Sequence, residues 1–265
     1  MSELNFPFVY CNGDSFSDEN YSQSLVNATY AHHLADKLNG FASNKAKSGS
    51  SNRRIIRTTV HDLLEHRNLN PDQETFALIG LSYELRSEIW VDDFLPTAYE
   101  ESQFITHTFS GLTDWHSKLL NNEKITTGHI DQIPSYINKK FYEQYSNGRA
   151  FFYSPYAERI NLLCDLIMLE SLLEKLNIKF LIFQSPPAEI LEQEYLLDFF
   201  KSQLQSDKRI LDIENFSFVQ WCHDNGFKTI DDNNTAISNR HYGPDAHKQF
   251  AVDFLLTHLK ETGQL

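Results

Sequence analysis

The chain has 265 residues, 41% of them hydrophobic, enough for one large domain or two small ones with a buried core. Its 23 basic residues face 36 acidic ones, a net charge of −13, so a polyanion meets repulsion over most of the surface, and nucleic acid and anionic membrane are poor candidates as partners. No apolar run approaches the roughly 20 residues of a membrane-spanning helix, and "MSELNFPFVY" lacks the basic start and apolar core of a signal peptide, which points to a cytoplasmic protein.

The first element, "FPFVYCNG", reads as a short buried strand with a glycine stop. After a polar loop, "NATYAHHLADKLNG" predicts a helix that starts at an Asn27 cap, places Tyr30, Leu34 and Leu38 on one face and closes at Gly40. "FASNKAKSGSSN" reads as a weak second strand running into a Ser/Gly loop, and "NRRIIRTTVHDLLEHR" as a helix burying Ile56, Val60, Leu63 and Leu64. "TFALIGL" is a continuous apolar strand, "ERINLLCDLIMLESLLEKLN" a long helix, "IKFLIFQSPP" a strand stopped by Pro186 and Pro187, and "RILDI" a short later strand. "DAHKQFAVDFLLTHLKE" closes the chain as a helix with Phe250, Phe254 and Leu255 on its apolar side.

Strands alternating with helices predict an α/β fold: a doubly wound, three-layer α/β/α sandwich of flavodoxin-like type around a mainly parallel sheet of about five strands. The whole of 1–265 is expected to form one domain, with residues 83–156 breaking the rhythm as an insert of helices and loops, a lid or a partner surface. Trp90, Tyr99 and Trp115 within it read as packing residues of a small subdomain, or as platforms for sugar rings.

In such a fold the loops after the strands open on one rim, where ligands bind. Ser15 lies after the first strand, Gly49 after the second and Ser82 at the end of the third. A serine becomes a nucleophile only with a base to take its proton and donors to hold the oxyanion. Of the 11 histidines, His32, His33, His61, His66 and His258 fall inside predicted helices, whereas His241 lies in the loop before the terminal helix, on the rim where the serine is expected. His247, in that helix or its first turn, suits a structural role better. Asp14 reads as a turn former, and Arg53, Arg54 and Arg57 as a solvated helix face near the rim. Cys11, Cys164 and Cys222 form no CxxC pair, so neither a disulfide framework nor a cysteine metal site is expected.

Four blocks, "NGDSFSDE", "AKSGSSN", "IGLSYE" and "HYGPDAHKQFA", occur in order on these loops, and together they resemble the SGNH hydrolases, the GDSL esterases and lipases. The variant "AKSGSSNRRIIR" with "IGLSYELRSE" is most similar to phage-type GDSL-like proteins. The resemblance implies Ser15 as nucleophile and first oxyanion donor, Gly49 as second donor and His241 as general base. Two positions depart from the pattern. Ser82 stands where the family has the asparagine that completes the oxyanion hole, so either its hydroxyl or Asn52 would serve. Ser238 stands where the family has its acid, three residues before the base, which leaves a Ser–His dyad or a carboxylate from Asp232 or Asp245. An alternative alignment makes His247 the base, with Asp245 nearby.

The expected activity is therefore that of a serine esterase or deacetylase acting on small acyl esters, O-acetylated carbohydrate among them, with no metal or organic cofactor. A degenerate hydrolase scaffold used for binding or structure, for instance in a virion, is the alternative, and O-acyl transfer the third.

Overall fold

In chain order the strands are β1 (Phe8–Asn12), β2 (Phe41–Asn44), β3 (Thr75–Leu81), β4 (Arg86–Trp90), β5 (Phe104–Thr108) and β6 (Lys179–Gln184). The helices are α1 (Tyr30–Lys37), α2 (Asn52–Leu69), α3 (Pro155–Lys175), α4 (Phe218–Asp224) and α5 (Pro244–Gln249), which runs through a π-helical turn (Phe250–Leu255) into α6 (Leu256–Glu261). This computed structural model describes residues 6–83, 86–90, 104–108, 155–187, 202, 204, 208–231 and 240–265.

β1, β2, β3 and β6 form one parallel sheet in the order β2-β1-β3-β6. Its central strands, β1 and β3, are buried along their whole length and almost wholly apolar because both faces are covered. Val9, Cys11, Phe76, Leu78, Leu181 and Phe183 pack with α1, α4 and the terminal helices. Their neighbours in sequence, Phe8, Tyr10, Ala77, Ile79, Phe180 and Ile182, pack with α2 and α3. The fold is thus the expected α/β sandwich, with its core split between the two faces of the sheet.

Among the described residues four strands form the sheet rather than about five. "RILDI" reaches the β6 edge through a single parallel bridge, Ile182 to Ile210, with Ile182 N donating to Arg209 O and Leu211 N to Ile182 O. It goes no further because Asp212 turns the chain: its Oδ1 accepts from Glu214 N and Asn215 N, and its carbonyl from Phe216 N.

Local boundaries shift for similar reasons. Asn27 adopts a left-handed φ of 54° and does not cap α1, which starts after Thr29. α2, capped by Ser51 Oγ accepting from Arg54 N, is rotated from its expected phase. Ile55, Thr58, Thr59 and Leu63 are buried, Ile56 and Val60 lie half-buried at the margin, and Leu64 is exposed. The cause is polar: Asn12 Nδ2 donates to Ile55 O, Thr58 Oγ1 and Thr59 Oγ1, so the threonines are drawn inward to satisfy a buried amide. The described residues of the 83–156 insert include a two-stranded antiparallel sheet, β4 with β5. "RSEIW" and "FITHT" supply the β-branched and aromatic residues that favour it. Tyr99 and Trp115 lie outside the described residues.

The strand order places a switch point between β1 and β3: α1 leads outward to β2, and α2 returns the chain to the far side of β1. Ligands bind such sheets in the crevice beyond the carboxyl ends at this point. Ser15 follows β1 there and Ser82 follows β3.

Candidate active site

The loop after β1 is held from below. Asn12 Oδ1 accepts from Gly13 N, tying the strand end to the amide that its Nδ2 anchors on α2. Gly13 and Gly80 leave room for Ser17: a Cβ on Gly13 would lie 2.6 Å from Ser17 Oγ, and one on Gly80 2.9 Å from it. Ser17 Oγ in turn accepts from the Tyr30 hydroxyl at 2.6 Å in the core. The loop after β2 is fastened alongside. Lys45 N donates to Cys11 O, Lys47 N to Gly13 O, and Ser48 donates to Asp18 Oδ2 through both its amide and its hydroxyl. This brings Gly49, with a left-handed φ of 82°, beside the Ser15 loop. Among the described residues no oxygen accepts from Ser15 N–H or Gly49 N–H.

Ser15 meets His241 across the rim, with Ser15 Oγ 2.9 Å from His241 Nε2. His241 Nδ1 lies 2.6 Å from Asp231 Oδ2, and the same oxygen accepts from His241 N at 2.6 Å. A carboxylate only accepts, so Nδ1 carries the ring proton and Nε2 of the neutral imidazole is left to accept from Ser15 Oγ–H. Asp231 is placed by a short antiparallel pairing, in which Thr229 bridges Tyr242 and Ile230 N donates to His241 O. Its second oxygen accepts from the Tyr21 hydroxyl at 3.0 Å. The imidazole stacks on Phe16 (centroids 4.6 Å, 12°) and on Tyr21 (3.7 Å, 16°).

The electrostatics suit a neutral imidazole. Burial is the largest influence on His241 and lowers its pKa, with Arg86 adding to the effect, while Asp231 opposes them. Burial alone would raise the Asp231 pKa, but hydrogen bonds from the His241 amide and ring and from Tyr21 bring it below the ordinary carboxylate value.

Ser82 and Asn52 are brought to the site but are already engaged. The Ser82 hydroxyl donates its one proton to Asp14 Oδ2 at 2.8 Å and accepts from Arg86 Nη1 at 2.9 Å. Asn52 brackets the Ser82 backbone: its Oδ1 accepts from Ser82 N and its Nδ2 donates to Ser82 O, which leaves one amide N–H over. Asp14 is more than a turn former. Fully buried, it also accepts from Phe16 N and pairs with Arg86 at 3.3 Å. Burial pushes its pKa up to about 6 against the pull of Arg86 and Ser82.

Asp232, like Ser238, lies outside the described residues, and Asp245 is exposed in the first turn of α5. The carboxylate on the imidazole is Asp231, one position from the sequence candidate. His247 is buried in the core, where its Nδ1 accepts from Tyr30 N and its ring stacks on Tyr30. Burial, with His33 and His241 nearby, lowers its pKa to about 3. Arg54 is not on a solvated face: it is buried and donates to Ser50 Oγ. Asp231, Tyr21, Phe16 and Arg86 are the site residues that sequence reasoning missed. Arg86 stands two residues past the third block, "IGLSYE", and Asp231 beside Asp232, but no spacing rule singles out either. Among the described residues, no three His, Cys, Asp or Glu side chains gather as ligands for an ion, and no helix is long and apolar enough to cross a membrane.

No family model and no curated protein matches the chain. Solved structures similar to it include a psychrotrophic esterase from a Pseudoalteromonas species, at 11% identity and a TM-score of 0.45 over 97% of this chain and 99% of that one. Another is a protein named as a GDSL-like lipase from Parabacteroides merdae, at 13% identity and a TM-score of 0.35 over 98% of this chain and 97% of that one.

Proposed function

We propose that the protein is a serine hydrolase of small acyl esters, with Ser15 as nucleophile, His241 as general base and Asp231 as the acid that orients it. The observation that carries this is the chain of two hydrogen bonds, Ser15 Oγ to His241 Nε2 at 2.9 Å and His241 Nδ1 to Asp231 at 2.6 Å. His241 takes the Ser15 proton as Oγ attacks the ester carbonyl, and Asp231 stabilises the imidazolium that forms. The imidazolium then protonates the leaving alkoxide, and water, deprotonated by the same imidazole, releases the acyl group. Ser15 N–H and Gly49 N–H are the oxyanion donors. With the Ser82 proton committed to Asp14, the third donor is the remaining amide N–H of Asn52. Each such donor is worth about 3 kcal/mol of transition-state stabilisation. O-acetylated carbohydrate is one substrate of this class, and acyl transfer would use the same residues with a different acceptor.

Ser82 in place of an amide donor favours one other reading, a binding scaffold that has lost turnover. The two part on one experiment. Purified protein should hydrolyse p-nitrophenyl acetate and take a fluorophosphonate label at Ser15, and Ser15→Ala should lose both. An unlabelled, inactive wild-type protein would leave the scaffold reading standing.

A further inference from the structure

The acid and base of this site are covered by a residue that takes no part in proton transfer. Tyr21 lies in the loop between β1 and α1, six residues beyond Ser15, and touches both members of the pair in different ways. Its hydroxyl donates to Asp231 Oδ1 at 3.0 Å, while Asp231 Oδ2 receives both the amide and the ring nitrogen of His241. Its ring lies on the imidazole at a centroid distance of 3.7 Å and 16° between planes. Phe16 stacks on the same imidazole at 4.6 Å and 12°, but carries no polar group to reach the carboxylate. The carboxylate is thus held through both oxygens, and rotation about its terminal torsion would break bonds at each.

We propose that Tyr21 is the positioning residue of this site: its hydroxyl locks the Asp231 carboxylate in the plane that His241 needs, and its ring keeps water off the imidazole. The proposal rests on the Ser15–His241–Asp231 hydrolase reading for its catalytic meaning, but the clamp itself is a property of the pair.

The hydroxyl also biases the charge on His241. A hydrogen bond to Asp231 is stronger while the carboxylate is an isolated anion than when it faces an imidazolium, so it favours the neutral ring. Covering the ring acts in the same direction, by desolvation. The other groups facing His241 are Asp231, which favours the cation, and Arg86 at the start of β4, which opposes it; His247 of α5 also interacts with it. Each is intact in a Tyr21→Phe variant, which keeps the stacked ring and removes one hydrogen bond.

The test is Tyr21→Phe and Tyr21→Ala, read in two ways. In NMR of ring-labelled histidine, the His241 titration should move upward by about half a unit to one unit in Tyr21→Phe, and further in Tyr21→Ala. In kinetics on p-nitrophenyl acetate, Tyr21→Phe should lose about tenfold in kcat, the worth of a hydrogen bond to a charged group, and the acid limb of its pH profile should move with the NMR titration. An unchanged titration in Tyr21→Phe overturns the proposal. So does a rate lowered equally at every pH with the limb in place, which marks a role in folding alone. If wild-type Ser15 takes no fluorophosphonate label, the hydrolase reading fails while the NMR titration still decides the clamp.

Discussion

Replacing Asp231 by Asn tests the acid assignment most directly, because the structure predicts two separable losses. Asp231 Oδ2 accepts from both His241 Nδ1 and His241 N at 2.6 Å. An amide oxygen in the place of Oδ2 keeps both bonds but turns its NH2 toward the Tyr21 hydroxyl that Oδ1 accepted from, whereas an NH2 turned toward Nδ1 forces the other tautomer, and Nε2 then carries its proton toward Ser15 and cannot act as base. The second loss is charge. Side-chain exposures of 12% for His241 and 20% for Asp231 place the pair near the surface, where an effective dielectric of about 20 applies. With charge centres about 4 Å apart, the imidazolium loses about 4 kcal/mol of attraction, or about 10³ in kcat. The assay is kcat for p-nitrophenyl acetate across roughly pH 5 to 8, the window in which a histidine base titrates, with Asp232→Asn and Asp245→Asn as controls expected to stay within a few-fold of wild type. An Asp231→Asn enzyme within tenfold of wild type, or a larger loss in Asp232→Asn, would refute the reasoning.

Two further predictions concern pH and stability. His247 has a folded pKa of about 3, below the unfolded value of about 6.5, so the unfolded chain binds the extra proton between the two. Stability is then complete above pH 6.5 and falls as the pH drops toward 3, by about 2 kcal/mol at pH 5. His247→Asn, which keeps an acceptor for Tyr30 N, should flatten that slope in urea unfolding, and a slope that persists unchanged counts against the assignment. Asp14, with its folded pKa raised to about 6, has the opposite sign: it favours the folded state below the unfolded pKa and loses stability as pH rises through the folded value. Arg86→Met removes its counter-ion and raises that pKa further, so the gap between wild type and variant should widen above pH 6 by about 1.4 kcal/mol for each added unit. A gap that is constant from pH 5 to 8 would show that Arg86 does not neutralise Asp14.

The alternation of apolar runs with helical periods was enough to read the α/β class, because a strand buried on both faces must be apolar throughout and a covering helix must be amphipathic. Ser15, Gly49 and His241 were legible for a related reason. Each sits in a loop after a predicted strand or before the last helix, where the chain's connectivity confines it to one rim. Where sequence reasoning slipped, the deciding term was a polar partner distant in the chain. Asn12 turned α2 by drawing in Thr58 and Thr59, and Asp212 ended "RILDI" at a single bridge.

The sequence by itself determined that a serine and a histidine would be delivered to the same edge of a parallel sheet, since that follows from the order of the elements. Only the tertiary structure decided which groups complete the pair. Asp231 rather than its neighbour faces His241 because a two-residue antiparallel pairing sets the register, and a shift of one residue in an extended segment turns a side chain to the opposite face. Ser82 cannot be read as an oxyanion donor from its position in a block, because its proton goes to Asp14, 68 residues away in sequence. Hydrogen-bond commitments between remote loops leave no local pattern, and it is these that separate the residues at the site from the residues available to act.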